Sequence, residues 1–268
     1  MAAEWRLTMN IYEYIKIDKN EKPLDRMVND GGMCAIFRTI ACIGDSLASG
    51  EFEADDHGHD LYEYSWGQFL ARSCGCKVYN FSKGGMTAKR YNESFADENG
   101  YYSPDLAAQA YIISLGTNDV CNNGQPIGKI TDIDVNNYNN NADTYAGHLG
   151  KIISKYKEIQ PDAKFFIMTM PRGSNYHRDN LKKQCRDLME EMVGIFDNCY
   201  LIDLYTYAPV IDSEYSRKFS LGSHRNPAGY LAKARMIESY IDYIIRHNPE
   251  DFKQVGFIGT PYYNVTVK

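Results

Sequence analysis

The sequence predicts an α/β protein built on a mostly parallel sheet with helices over both faces. Short apolar runs bounded by glycine or small polar residues read as buried strands: Met33–Ile43, Lys77–Phe81, Ala110–Leu115, Lys164–Thr169 and Cys199–Asp203. Stretches of helical spacing separate them, which implies βαβ units. At 268 residues the chain suits one α/β domain, with its core over about 36–246.

In chain order, residues 1–34 alternate apolar and polar in part (Trp5, Leu7, Met9, Ile11), which suggests one or two strands against the domain. The first core strand runs into Gly44-Asp45-Ser46-Leu47, followed by a polar loop from Glu51 to Asp60. A helix from Leu61 to Ser73 stops at Cys74-Gly75, and the second strand ends at Ser82-Lys83-Gly84-Gly85. Residues 88–106 read as a polar helix and loop, and the third strand ends in Gly116-Thr117-Asn118-Asp119. Apolar residues at helical spacing (Tyr145, Leu149, Ile152, Ile153, Tyr156) predict a helix over 143–159, with Pro161 just beyond its end. An amphipathic helix covers 179–196. The last helix starts at Pro227 behind an Asn226 N-cap and runs to about Arg246. The tail from Asn248 to Lys268 carries Gly256, Gly259 and Pro261 and is expected to wrap the surface irregularly.

Composition narrows the function. A net charge of −6 argues against a nucleic-acid surface, which needs clustered Lys and Arg. No stretch approaches the ~20 apolar residues of a membrane span, and Met1-Ala-Ala-Glu-Trp-Arg6 lacks the basic start and apolar run of a signal peptide. Seven scattered cysteines, an odd count, point to reduced thiols and a cytoplasmic setting. Cys74-Gly-Cys76 lacks a second pair at zinc spacing, and Asp55-Asp56-His57-Gly58-His59-Asp60 reads as a solvated loop, so no metal site is expected. Lys182-Lys183 reads as a solvated helix face, and His148, His177 and His247 belong to no constellation. The 22 tyrosines supply packing and offer rings that could stack on sugars.

Parallel strands share a direction, so Ser46, Gly84-Gly85 and Asn118 fall on one edge of the sheet, where ligands bind in such folds. His224, in the loop before the last helix, can reach the same edge. A nucleophilic hydroxyl needs a base within hydrogen-bond reach and fixed donors for the oxyanion that forms at a carbonyl. Ser46, His224, a glycine N–H and the Asn118 amide make up that set. Asp45 is expected to shape its turn through its own hydrogen bonds.

These blocks resemble the SGNH (GDSL-type) esterases and lipases. Gly44-Asp45-Ser46-Leu47, Asn80-Phe-Ser-Lys-Gly-Gly85, Gly116-Thr117-Asn118-Asp119 and His224-Arg225-Asn226 occur in the family's order, over most of the chain. The resemblance implies a flavodoxin-like three-layer α/β/α sandwich around a five-stranded parallel sheet. It implies Ser46 as nucleophile, His224 as base, and an oxyanion hole from the N–H groups of Ser46 and Gly85 with the Asn118 side chain; Gly84 is a rival to Gly85. The implied reaction is ester hydrolysis through an acyl-enzyme, without metal or organic cofactor.

Two positions depart from the family pattern. Leu221 stands where the family carries an Asp three residues before the histidine, and Arg225 replaces the usual Pro. Something else must then orient the imidazole, and the expectation is a loop carbonyl, with Asp212 or Glu214 as alternative carboxylates. The expected activity is serine esterase action on a small acyl ester, most simply a carbohydrate O-acetyl group. The alternatives are a lipid-type ester or thioester hydrolase, or a binding protein of this fold that has lost turnover. The expected partner is a small-molecule ester, with neither nucleic acid nor membrane.

Overall fold

A computed structural model describes residues 17–53 and 58–266. Its centre is a five-stranded sheet of β1 (Thr39–Gly44), β4 (Lys77–Ser82), β5 (Ala110–Ser114), β6 (Lys164–Met168) and β7 (Cys199–Ile202), in the order β4-β1-β5-β6-β7 and parallel throughout. Two short hairpins lie outside it. One pairs β2 (Glu51–Glu53) with β3 (Gly58–Asp60), the other pairs β8 (Ser220–Leu221) with β9 (His224–Arg225).

Side chains alternate across a strand, and here both faces are apolar. Ala41, Ile43, Tyr111, Ile113, Phe165 and Ile167 face one layer, which contains helices Tyr145–Ile159 and Tyr176–Met192. Ile40, Cys42, Ala110, Ile112, Phe166 and Met168 face the other, with helices Trp66–Cys74 and Pro227–His247. That two-sided burial produces the three layers expected from the sequence. The last helix begins as its cap predicts, with Asn226 Oδ1 accepting the Gly229 N–H at 2.8 Å.

The first strand starts later than its apolar run suggests. Gly32–Ile36 forms a 3₁₀ turn, because Gly31 (φ 85°) and Gly32 (φ 47°) reverse the chain there. Buried carboxylates of the last helix then capture the backbone: Glu238 accepts from Gly31 and Asp242 accepts from Met33 at 2.8 Å. Residues 91–95 form a wide helical turn that turns Tyr91, Asn92 and Phe95 inward. The strands expected within residues 1–34 do not form over the described part, 17–34, which runs as turns, while residues 1–16 and the loop residues Asp55-Asp56-His57 lie outside the described residues. In the tail, 3₁₀ turns at Pro249–Phe252 and Val255–Phe257 bury Phe252 and Val255.

Phe166 is fully buried, and its ring meets Phe37 edge-on at 6.1 Å and stacks on Phe252 at 6.5 Å. Phe166→Ala should lower the unfolding free energy by about 3–5 kcal/mol. Urea unfolding measures this, and a loss below about 1 kcal/mol would contradict the packing described.

Candidate active site

The carboxyl ends of β1, β4 and β5 carry the three motif turns side by side. Helix Ser46–Ser49 opens directly after β1, capped by Asp45, whose buried carboxylate accepts the Leu47 N–H at 3.0 Å. As the first helical residue, Ser46 has no intrahelical acceptor for its N–H, and none is supplied among the described residues. Gly85, after β4, sits at φ 71°, a left-handed conformation that favours glycine, and its N–H is likewise without a described acceptor.

Asn118, after β5, is oriented at both ends. Its Nδ2 donates to the Met86 carbonyl at 3.1 Å, and its Oδ1 accepts from Asn122 at 2.7 Å. One Nδ2 hydrogen stays available. The neighbouring Asp119 is fully buried and accepts the Ala88 N–H at 2.7 Å. The β5 turn therefore clamps the β4 turn on either side of Thr87, fixing Gly85 and Asn118 in one frame. Burial pushes the Asp119 carboxyl up to about 6, against the Ala88 hydrogen bond that pulls it down.

His224 begins β9, and Cα atoms of β9 come within 8 Å of those of helix Ser46–Ser49. Its orienting group is neither a loop carbonyl nor Asp212 or Glu214. His224 Nδ1 donates to Glu53 Oε1 at 2.8 Å. Glu53 also accepts from the Ser223 N–H at 3.0 Å and from the Ser223 hydroxyl, and these bonds, with the imidazole, hold its carboxyl below the usual range. Asp212 instead caps helix Ser213–Phe219, and Glu214 pairs with Lys218 at 2.7 Å. Leu221, in the family's acid position, is exposed.

Gly222 explains the fit. It has φ 59°, and a Cβ there would lie 1.7 Å from Glu53 Oε2. Glu51, on the same strand, brings Oε1 to 3.7 Å from His224 Nε2 and Oε2 against Gly84. Tyr230 braces the segment by donating to the Glu51 carbonyl, with its hydroxyl 3.5 Å from the Ser46 carbonyl. The Ser46 hydroxyl itself forms no hydrogen bond with a described residue, so the structure brings its element to the histidine without closing a serine–histidine bond. Glu53 belongs to no motif of the sequence. Its signal lay in Glu51-Phe52-Glu53, where a two-residue spacing puts both carboxylates on one face of a strand just behind the Ser46 turn.

The profile of the GDSL-like Lipase/Acylhydrolase family matches residues 40–237, from β1 into the last helix. The chain belongs to this family. It is a carboxylic ester hydrolase. No curated protein matches this GDSL-like hydrolase. Among solved structures it is similar to a carbohydrate esterase family 2 enzyme with a carbohydrate-binding domain from Corynascus thermopiles (Myceliophthora fergusii), at 18% identity and a TM-score of 0.55 over 78% of this chain and 66% of that one. A family two carbohydrate esterase from Clostridium thermocellum, in complex with cellohexaose, gives 16% and 0.55 over 78% and 64%. The chain thus spans just under two thirds of both esterases. A protein from Lactobacillus plantarum gives 18% and 0.56 over 77% and 97%. These likenesses establish the fold. Among the described residues no group of His, Cys, Asp or Glu could hold a metal ion, and no helix is long and apolar enough to cross a membrane.

Asp119 yields a pH test. Its carboxyl keeps a proton longer in the folded than in the unfolded chain, so its contribution to stability falls as pH rises from 3.8 to about 6 and is constant above. The stability of the natural protein relative to Asp119→Asn should therefore decline over that interval and then level off. A difference independent of pH from 3.8 to 6 would contradict the burial assigned to this carboxylate.

Proposed function

We propose that this hydrolase is a serine esterase working through an acyl-enzyme, with Ser46 as nucleophile, His224 as base and Glu53 as the carboxylate that positions it. The observation that carries this reading is the 2.8 Å bond from His224 Nδ1 to Glu53. With Nδ1 donating, Nε2 is left unprotonated to take the Ser46 proton, and the carboxylate stabilises the imidazolium that results. The negative oxygen formed at the substrate carbonyl is received by the N–H groups of Ser46 and Gly85 and the spare Asn118 hydrogen, all set in place beforehand. Return of the proton to the leaving alcohol gives the acyl-enzyme, and water activated by His224 then releases the acid.

The acyl group is small, most simply an acetyl carried on a carbohydrate. Support comes from the fold shared with the two carbohydrate esterases and from the absence of an apolar lid in the sequence. Glu53 also removes the reason for reading the chain as an inactive binding protein, which rested on Leu221.

Glu53→Gln should lower kcat/KM for p-nitrophenyl acetate on the order of 10³–10⁴-fold with the fold intact, and Glu53→Asp should restore part of it. Leu221→Asp should produce no gain, because the Nδ1 position is already filled. Activity unchanged in Glu53→Gln, or a large gain in Leu221→Asp, would remove Glu53 from the mechanism.

A further inference from the structure

Beside the Ser46 turn lies a chamber of about 200 Å³, roofed by the carboxyl ends of β5 and β6 and the first turns of the last helix. That is room for roughly six or seven water volumes. Leu47, Leu115, Met168, Met170 and Met236 give it apolar walls. Asp45 and Leu47, either side of Ser46, and Arg225, next to His224, lie on its lining. Ser46 and His224 do not line it themselves, so the chamber neighbours them through Asp45, Leu47 and Arg225.

Its charge is unusual in a chain of net charge −6. Four cations line it, Arg178, Lys182, Arg225 and Lys233, against the single carboxylate of Asp45. None of the four forms an ion pair with a described carboxylate. Lys182 donates to the Pro171 carbonyl at 2.9 Å, Arg225 to Ser220 Oγ at 2.7 Å, and Arg178 to the Cys121 carbonyl and Asn122. Lys182 is half-buried and turned inward, which corrects its reading as part of a solvated face; Lys183 is the exposed one. Lys233 is 8% exposed and has no hydrogen-bond partner among the described residues. The Trp66 ring, 5.8 Å from its ammonium, is a weak substitute for an anion, and an ammonium this buried is expensive unless something negative joins it. Burial, the largest influence, and the nearby Arg225 guanidinium bring Lys233 down to about 8 despite Asp45, and burial lowers Lys182 and Arg225 as well.

We propose that this chamber binds a carboxylate of the substrate, held by Lys233 with Arg225 and Lys182, so that the hydrolase prefers esters bearing an acid group a few bonds from the scissile carbonyl. The proposal rests on the esterase reading and narrows it. The carboxylate can belong to either side of the ester, and paired substrates separate the two. On the acyl side, p-nitrophenyl hemisuccinate is compared with its methyl ester; on the alcohol side, 4-acetoxybenzoate with methyl 4-acetoxybenzoate. Each rate is corrected for its alkaline hydrolysis.

One pair should show kcat/KM about tenfold or more in favour of the acid, as a charged hydrogen bond provides, and Lys233→Met should bring that ratio close to one. No preference in either pair, or a preference that survives Lys233→Met, overturns the proposal. Calorimetry with Ser46→Ala protein adds a readout independent of turnover and of the Lys233 variant's folding: succinate should bind at least about tenfold tighter than succinamide. Equal binding overturns the chamber assignment. Succinate binding in a protein that hydrolyses no ester overturns the esterase reading and leaves the chamber standing.

Discussion

The constraint on which the rest depends is that the three inner strands of the sheet bury both of their faces. A parallel strand flanked by helices on either side has no polar face to lose, so β1, β5 and β6 are apolar at successive positions and split cleanly between two cores. Because all five strands point the same way, their carboxyl ends must share one rim. The turns bearing Ser46, Gly85 and Asn118 follow three adjacent strands, and the packing of the sheet sets their spacing. Asp119 and Asn118 then tie two of those turns together through backbone groups near Met86 and Ala88.

The histidine arrives from elsewhere, and Glu53 occupies its Nδ1 while Leu221 offers no carboxylate. Glu53 and His224 lie 171 residues apart, joined where a hairpin behind Ser46 meets the hairpin before the last helix. Glu53 accepts three hydrogen bonds, from the Ser223 N–H, the Ser223 hydroxyl and the imidazole. Such a carboxylate is fixed by several hydrogen bonds rather than by one, which suits a positioning group. Gly222, where a side chain would strike Glu53, keeps the approach open.

Much of the architecture could be read in advance. The five strands, the Asn226-Pro227 helix start and the shared rim follow from local pattern, and the structure alters mainly the start of β1, where the carboxylates of Glu238 and Asp242 override an apolar run. Ser46, Gly85, Asn118 and His224 could be named because their neighbours form short motifs. Glu53 could not, since it joins His224 only through tertiary packing and Glu51-Phe52-Glu53 looks like any polar loop. Lys182 and Lys233 were hidden for a different reason: a lysine on an amphipathic helix is ordinarily solvated, and only the chamber reveals that these two turn inward.

The central claim is that Ser46 is an activated nucleophile. Treating the protein with a fluorophosphonate and mapping the modified peptide by mass spectrometry tests it most directly. The account predicts a single adduct on Ser46 that disappears in His224→Ala. No adduct, or one on another residue that is indifferent to His224, would contradict it.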